Sequence, residues 1–413
     1  MPTHPPTPRL PIPPLTFETL EWVPRAPQIH SRAEVLRQTG PYEAAVTPPI
    51  AAWDPQLGGE ISADVDDATR QLVQFDAHAR LALGTDDAAL GPMSAILLRT
   101  ESASSSQIEQ LTTSARQLAL AEIDESDMSN ARTVVGNVRA MEAAVDLATA
   151  VSSDTILAMH GALMRDQQGV DRMAAGRYRS EQVWIGPGEA GPRLADYVAP
   201  HERHIPTSIA DLVDFVQRED LPLLVQVAVA HAQFETIHPF PDGNGRTGRA
   251  LAQSILRNKR LVTSTTVPLS AGLLTNVDRY FAALGSFRAG DAGPIVHEFA
   301  QASRIAATTG TRLVNALVEQ LAVSRARLDG VRSDAAAWSL LPALIGQPVV
   351  NTRYLTTSRG MSDVTALRAL RLLTERGVLT EATGRARGRV WQHRGILSVL
   401  DDYAAEIRRM SVH

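Results

Sequence analysis

The chain has 413 residues, of which 44% are hydrophobic and 21% charged, and its formal net charge is -5. This length suffices for two or three domains with cores of their own, so a disordered protein is excluded, and the charge excludes a wholly basic nucleic-acid-binding protein. The absence of cysteine excludes disulfide bonds and thiolate metal sites and suits a reducing compartment. Because no apolar run could cross a bilayer and the start lacks the regions of a signal peptide, we expect a cytoplasmic protein without a membrane partner.

The first 125 residues divide into two predicted parts. Residues 1–30 are rich in proline, which predicts an extended or poorly ordered arm. The second part, 31–125, contains a turn or extended element at Tyr42–Ile50 and then shows helical spacing over residues 65–83, 93–100 and 105–120. In the last of these helices Ser105 can act as a cap, and the carboxylate of Glu109 follows four residues later.

Residues 126–310 form the predicted core. The helical period covers 129–149, 153–165, 208–218 and 222–237, and we interpret His160, on an otherwise apolar helix, as structural. Between the second and third of these helices, short β-branched and aromatic runs around Val183–Gly186 and Tyr197 predict a hairpin. An exposed strand edge there could bind a segment of another protein as an added strand.

The stretch HPFPDGNGRTGR, from His238 to Arg249, contains the candidate catalytic, metal-binding and anion-binding residues of the core. Pro239 and Pro241 end the preceding helix, and Gly243-Asn244-Gly245 form a loop before the next one. The unpaired N–H groups of a helix start bind anions, and Arg246 and Arg249 project from one face of that helix. His238 can exchange a proton near neutral pH, and Asp242 offers a hard oxygen ligand for Mg²⁺. An alternative interpretation takes His231, Glu235 and His238 as a metal site.

The remaining predicted elements are helices over 246–258, 275–288 and 292–308, a linker helix within 311–332, and a domain at 333–413. Three helical stretches in this last domain, Trp338–Ile345, Asn351–Ser358 and Asp363–Arg376, precede a hairpin between Gly377–Thr380 and Arg389–Gln392, which indicates a winged helix. Its helices and wing carry cations suited to phosphate contacts, namely Arg353, Arg359, Arg368, Arg371, Arg385, Arg387 and Arg389. Such modules also serve protein contacts and dimerisation, so DNA and a second copy of the chain are both candidate partners.

The stretch from His238 to Arg249 resembles the signature of the Fic family, HxFx(D/E)GNGRxxR, at every defined position. The resemblance, over about residues 40–310, implies a mainly α fold: a Fic-type helical core with a short β-hairpin flap, here followed by the winged-helix domain. It implies that His238 is the catalytic base and Asp242 the metal ligand. It further implies that Gly243, Asn244 and Gly245 form the anion hole, that Arg246 binds the phosphates, and that Arg249 binds the γ-phosphate of ATP.

The resemblance also implies a restraint on activity. Many Fic proteins carry an inhibitory helix with the motif (S/T)xxxE(G/N), which Ser105 and Glu109 match, although Gln110 replaces the Gly or Asn. Glu109 would then pair with Arg249. An ordinary surface helix is the alternative.

The resulting expectation is a protein adenylyltransferase that uses ATP and Mg²⁺ to transfer AMP to a Ser, Thr or Tyr hydroxyl. Its target would dock on the flap near Val183–Gly186, and the chain could modify itself. The alternatives are a nucleotide-sensing DNA-binding regulator with a Fic core, and a Fic enzyme that uses another nucleotide or removes AMP.

Overall fold

The structure, a computed structural model, describes residues 8–82, 87–147, 150–165, 174–382 and 388–411. The helices in these ranges are α1 (Arg32–Gln38), α2 (Gly59–Ala82), α3 (Asp87–Ile108), α4 (Ala115–Glu122), α5 (Ser129–Asp146), α6 (Ser153–Met164), α7 (Ile205–Gln217), α8 (Leu223–Ile237), α9 (Asn244–Asn258), α10 (Leu269–Leu274), α11 (Val277–Arg288), α12 (Gly293–Arg327), α13 (Ala336–Gly346), α14 (Thr352–Arg359), α15 (Asp363–Glu375) and α16 (Arg394–Met410). None of them combines the length and hydropathy needed to cross a membrane.

The strands are short and antiparallel. They are β1 (Thr16–Trp22), β2 (Gly40–Val46), β3 (Trp184–Ile185), β4 (Tyr197–Val198), β5 (Val349–Asn351), β6 (Thr380–Glu381) and β7 (Val390–Gln392). Two of the sheets are pairs, β1 with β2 and β3 with β4, and the third has the order β5-β7-β6. The predicted mainly helical fold with a short hairpin in the core is therefore confirmed.

The chain forms two compact units. The first contains residues 1–67, 143–259 and 278–300, and the second contains 68–142, 260–277 and 301–413. In the first unit, α8 lies at the centre: every residue from Leu224 to Ile237 is buried, as its apolar sequence predicts for a helix enclosed on all sides. Helices α7 and α9 pack against it. In the second unit, α3 packs against α10 and α13.

Four predicted elements differ from the structure. The first is the gap between the predicted helices over 93–100 and 105–120: α3 is continuous there, so Ser105 lies inside it and does not cap a new helix. Thr16–Trp22, inside the predicted arm, form strand β1, whose register runs from Thr16 opposite Val46 to Trp22 opposite Gly40. This strand was not predicted because the surrounding prolines favour an irregular arm, and the alternation of exposed and half-buried residues covers only seven positions. The predicted helix over 105–120 is interrupted: α3 ends at Ile108, and Ser114 caps α4 by accepting a hydrogen bond from the Gln117 N–H at 3.2 Å. The predicted break near residue 310 is absent, since α12 runs through it.

The C-terminal segment contains the predicted helices and hairpin together with two elements that the sequence did not indicate, β5 and α16. Strand β5 pairs with β7, and β7 pairs with β6. The winged-helix assignment stays a prediction. Of its predicted phosphate-binding arginines, Arg385 and Arg387 lie outside the described residues.

Candidate active site

His238 terminates helix α8 in a left-handed backbone conformation, with φ 50° and ψ 59°. Its N–H donates to the Phe234 carbonyl at 3.0 Å, which closes the last helical turn. The imidazole Nδ1 lies 3.3 Å from the Glu235 carbonyl oxygen. A proton on Nδ1 would satisfy that carbonyl and leave Nε2 as the basic nitrogen. The side chain is half-buried, so a substrate hydroxyl can approach it.

Arg179 holds this conformation in place. Its Nε donates to the His238 carbonyl at 2.8 Å, and Nη1 donates to the Glu181 carbonyl at 2.9 Å. Nη2 donates to the Pro200 carbonyl, and the Arg179 N–H donates to the Pro239 carbonyl at 3.0 Å. Left-handed backbone at a residue other than glycine costs about 1–3 kcal/mol and persists only where the surroundings enforce it. Arg179 supplies that enforcement, and its burial lowers the pKa of the guanidinium to about 10, which leaves it charged at neutral pH.

The loop between α8 and α9 is closed by Asn244. Its side-chain oxygen accepts from the Phe240 N–H at 2.9 Å, and its Nδ2 donates to the Phe240 carbonyl at 2.8 Å. Gly243 precedes it with φ 76°, and a Cβ there would lie 2.8 Å from Leu163 Cδ2. Both the backbone conformation and the space at this position therefore require glycine. The first turn of α9 starts at this loop, and the Thr247 N–H donates to the Gly243 carbonyl at 2.9 Å.

His160, predicted as a structural residue, supports the same loop from helix α6. Its Nε2 lies 3.1 Å from the Asp242 carbonyl oxygen, and its Nδ1 lies 3.1 Å from the Gly176 N–H. The ring stacks on Phe240 at a centroid distance of 3.7 Å. Burial lowers its pKa to about 4, so the ring is neutral, with Nδ1 as acceptor and Nε2–H as donor. His160 therefore positions Asp242 and is not itself charged.

Asp242 and Arg246 lie side by side at the start of α9. Arg246 Nη2 donates to Asp242 Oδ2 at 3.3 Å. The guanidinium is 5% exposed and the carboxylate 55% exposed. Arg246 Nε and Nη1 are buried and have no hydrogen-bond partner within the ranges that the structure describes. Buried guanidinium donors without acceptors are costly, and a bound anion beside the N–H groups of a helix start would satisfy them.

Arg249 and Gly245 complete the predicted anion site on the same helix. Arg249 follows Arg246 by three residues and is 2% exposed, and Gly245 is half-buried. The structure thus brings His238, Asp242, the loop and both arginines together within one unit, on two adjoining helices. Ser105 and Glu109 belong to the second unit.

The predicted inhibitory segment ends helix α3. Ser105 is fully buried, and the Leu111 N–H donates to the Ser106 carbonyl at 3.0 Å beyond the helix end. Gln110 has φ 62°, the left-handed conformation that glycine and asparagine adopt readily at this position of a helix terminus. The departure from Gly or Asn therefore affects backbone strain and leaves Glu109 in place.

The flap is the hairpin of β3 and β4, with Trp184 opposite Val198 and Ile185 opposite Tyr197. It rests on the β1–β2 hairpin through a T-shaped contact between Trp184 and Trp22 at a centroid distance of 5.4 Å. Ile185 is 43% exposed. The predicted hairpin at Val183–Gly186 therefore has a firm inner face and one exposed apolar side chain.

The alternative metal site is not formed. His231 is fully buried, and its Nε2 lies 2.7 Å from the Tyr280 hydroxyl. Burial lowers its pKa to about 3, so it is a neutral core residue. Among the described residues no group of three His, Cys, Asp or Glu side chains could hold a metal. The helical spacing correctly places His231 and Glu235 on one face, against Gly248 of α9, but no third ligand joins them among the described residues.

Sequence reasoning missed the role of Arg179. It lies nearly sixty residues before His238, and no periodicity marks a side chain whose three acceptors are backbone carbonyls. The sequence shows only a charged residue between Tyr178 and a predicted hairpin, and this pattern is too common to indicate a positioning role for Arg179. For His160 the structural assignment was made, but its contact with Asp242 could not be read from spacing.

Comparisons with known proteins match the part of the chain that contains this site. A model of the Fic/DOC family matches residues 150–256. The solved structure of a Fic family protein from Desulfovibrio desulfuricans G20 is 25% identical, with a TM-score of 0.51 over 84% of this chain and 98% of that chain. A protein adenylyltransferase fic-1 from Caenorhabditis briggsae is 31% identical over 37% of this chain and 27% of its own length. A protein adenylyltransferase Fic from Nematostella vectensis is 30% identical over 26% of this chain and 23% of its own length.

The fold and the site define a helical protein in which a buried helix, a closed Gly-Asn-Gly loop and a helix start with two buried arginines adjoin. The part of the chain that holds this arrangement, residues 150–256, matches the Fic/DOC family model, and the fold is similar to that of a solved Fic family protein. The chain spans about a quarter of the length of the curated relatives that it matches.

Proposed function

We propose that the chain transfers AMP from ATP to a hydroxyl side chain of a protein. The observation that carries the proposal is the pair of buried, unpartnered guanidinium nitrogens of Arg246 at the start of α9, four residues from a carboxylate and eight from His238. A polyphosphate would supply the missing acceptors. The names of the curated relatives, protein adenylyltransferases, give further support.

In the proposed reaction, His238 Nε2 takes the proton of the target hydroxyl. The hydroxyl oxygen forms a bond to the α-phosphorus of ATP, the bond from that phosphorus to the bridging oxygen breaks, and pyrophosphate leaves. The loop N–H groups, Arg246 and Arg249 stabilise the charge that moves onto the phosphates. Such transfer needs little covalent assistance, so positioning and electrostatics supply most of the rate.

Mg²⁺ fits the proposed site as a partner of the nucleotide. Asp242 presents one half-exposed carboxylate, and Mg²⁺ is commonly bound by one or two carboxylates together with substrate phosphates and waters. When bound, the ion would neutralise phosphate charge. Asp242 would hold it, while the contact of the Asp242 carbonyl with His160 keeps the carboxylate at the loop.

For regulation we propose that Glu109 competes with the γ-phosphate for Arg249. An arginine has five N–H donors in a planar fork that fits a carboxylate and a phosphate equally well, so it cannot serve both fully. While Glu109 holds it, the triphosphate would bind misaligned, and misplacement alone costs about 10²-fold in rate. Ser105 would anchor the segment through its buried place in α3.

For the target we propose docking along the flap, with a segment added beside β3 near Val183–Gly186. The exposed Ile185 would contact it while the target backbone binds the strand edge. Such binding fixes the main chain next to His238 and tolerates different side chains. A segment of the same chain could bind there, which would give self-modification.

For the C-terminal segment we propose a protein contact, including that of a homodimer, ahead of DNA. On helix α15 the exposed Arg368 and Arg371 alternate with Val364 and Leu367, which are 67% and 45% exposed. Arg389 is ion-paired with Glu381. Apolar side chains at the centre of a surface favour protein over phosphate contacts. A nucleotide-sensing DNA-binding regulator is the competing function.

The deciding experiment incubates the protein with ATP labelled at the α-phosphate, or at the γ-phosphate in parallel, together with Mg²⁺ and lysate. Transfer of the α-label alone supports AMP transfer. Transfer of the γ-label indicates phosphorylation, and release of AMP from pre-labelled protein indicates removal. If neither label transfers and the protein binds duplex DNA in an ATP-dependent manner, the regulator replaces the enzyme. Competition by GTP, CTP and UTP then tests which nucleotide base the site prefers.

A further inference from the structure

The second unit contains a cavity of about 550 Å³ that is separate from the Fic site. Its walls are one face of α3, helix α4 with the segment before it, and one face of α16. The cavity volume lies within the roughly 300–1,000 Å³ that small-molecule sites occupy. All of its lining residues belong to the second unit.

The walls of this cavity are mainly apolar. Ile96 and Ala103 on α3 face Leu118 on α4 and Leu400 and Ile407 on α16. Apolar walls of this extent favour a ligand with a hydrocarbon body, since burying apolar surface contributes about 25 cal/mol per Å².

One charged group at the wall has unused hydrogen-bonding capacity. Arg99 Nε donates to Glu122 Oε1 at 2.6 Å, but Arg99 Nη1 is buried and has no partner in the part of the chain that the structure describes. The Thr113 hydroxyl, also at the wall, is buried without a partner in that same part. Glu122 lies outside the lining. A buried donor of this kind requires an acceptor, and a charged acceptor makes the stronger bond.

The charges at the cavity wall are balanced once the partner of Arg99 is counted. The lining contains two cations, Arg99 and Arg408, and one acidic residue, Asp401. Glu122 compensates Arg99, and Asp401 balances Arg408, so the open Arg99 Nη1 donor selects the ligand's charge: a charged acceptor makes the stronger bond to it.

From the apolar walls and the two unpartnered donors, Arg99 Nη1 and the Thr113 hydroxyl, we infer that this cavity binds a small carboxylate with a hydrocarbon chain. The carboxylate accepts hydrogen bonds from Arg99 Nη1 and the Thr113 hydroxyl, and the chain packs between α3, α4 and α16. A saturated carboxylate of about ten carbons fits the volume and buries most of its surface.

The test measures binding of decanoate and, as a neutral probe of equal chain length, decan-1-ol to the full chain by titration calorimetry. We expect decanoate to bind with a Kd on the order of 10–100 μM, given typical binding energies per ligand atom, and at least ten times more tightly than decanol. No binding of decanoate, or equal affinity for the two probes, would overturn the inference.

Variants assign the binding to this cavity. Ala103→Phe and, from the opposite wall, Ala404→Phe fill the space and should each abolish binding of both probes. The double change Arg99→Met with Glu122→Leu removes the donor without leaving a buried charge, and it should lower decanoate affinity to that of decanol. Arg371→Met, an exposed arginine outside the lining, is the matched control and should bind as the wild type does. Thermal unfolding of each variant verifies folding, and decanoate binding that survives in a folded filling variant contradicts the site.

Discussion

Arg179 and His238 show how a single residue in an unusual conformation is maintained. The backbone at His238 is left-handed, and its carbonyl accepts a hydrogen bond from the buried Arg179 guanidinium. The contact therefore holds a strained helix end in place beneath the proposed base.

Replacing His238 by alanine should abolish transfer while ATP affinity stays within about twofold. A general base acts on the transition state and contributes roughly 10²–10⁴-fold in rate, but little to ground-state binding. Transfer from α-labelled ATP and ATP binding by calorimetry measure the two quantities. His201→Ala, a histidine outside the motif, should change neither, and wild-type transfer by His238→Ala would rule out the proposed base.

Arg179→Lys should lower kcat about tenfold or more and leave the KM for ATP nearly unchanged. Lysine retains the charge, but it cannot reach three carbonyls with fixed geometry. The neighbouring exposed Arg177→Lys is the control for charge and sequence position. An equal loss in both variants, or a change confined to KM, would contradict a positioning role toward His238.

His160 predicts a pH dependence of stability. Burial holds its folded-state pKa near 4, below the unfolded value of about 6.5. Its contribution to stability is therefore complete above pH 6.5 and is lost as the pH falls from 6.5 toward 4, because the unfolded chain takes up the proton first. We expect a loss on the order of 1–2 kcal/mol between pH 6.5 and 5.

Urea unfolding at pH 7.5, 6.5 and 5 measures this loss. His160→Gln should flatten the decline by about that amount, although its stability at pH 7.5 will be lower. His30→Gln should leave the decline as in the wild type. An unchanged slope in His160→Gln would show that the ring is not neutral in the folded protein.

The residues of the site were predictable to different extents. That the residues from His238 to Arg249 lie together could be predicted from the sequence, because they are contiguous. Several of them also occupy positions that favour their residue type, such as a glycine with positive φ or an arginine in the first turn of a helix. The pairing of Asn244 with the Phe240 backbone and the reach of Arg179 could not be predicted, since both depend on how the loop folds back. Sequence fixes which groups are present, and tertiary packing selects their partners.

Backbone strain at a helix end is found in the second unit as well. At the end of α3, Gln110 occupies a left-handed position that costs a β-carbon-bearing residue about 1 kcal/mol. Gln110→Gly should therefore raise the free energy of unfolding by about that amount, as measured by urea unfolding. Gln107→Gly, inside the same helix, should instead lower it by a similar amount. A destabilised Gln110→Gly variant would contradict the strained conformation.

Glu109→Gly should increase transfer about tenfold or more if its carboxylate restrains Arg249. Gln110→Gly is the matched control, because it places a glycine at the same helix end and keeps the carboxylate. Labelling at equal ATP and Mg²⁺ concentrations compares the two with the wild type. Equal labelling by all three would reduce Glu109 to a surface residue, whereas release by Gln110→Gly alone would assign the effect to the backbone.

The predicted helices were most accurate where one period continued for several turns, as in α8 and α15, and least accurate at ends. The break between α3 and α4 depends on Ser114 capping a new helix, and serine is equally common inside loops. Strands β1 and β5 are short and gain stability from pairing with distant residues, so local sequence carries little of their signal.

At the scale of the whole molecule, the C-terminal segment predicts the class of partner. Given the apolar residues of α15, we expect no salt-dependent binding of duplex DNA at 50 mM salt and a concentration-dependent change of mass in solution. The paired change Val364→Asp with Leu367→Asp should abolish that association, and Arg368→Gln with Arg371→Gln should weaken it less. A DNA affinity that falls steeply between 50 and 200 mM salt would instead assign the surface to phosphate contacts.

The three carbonyls bound by Arg179 have a consequence for engineering. Glu181 and Pro200 are the two ends of the flap, and the third carbonyl belongs to His238. One guanidinium thus binds both junctions of the flap and the backbone of His238, the proposed base. Residues 182–199 therefore form an exchangeable cassette: another hairpin, grafted between these junctions with Arg179 retained, would keep its place relative to His238.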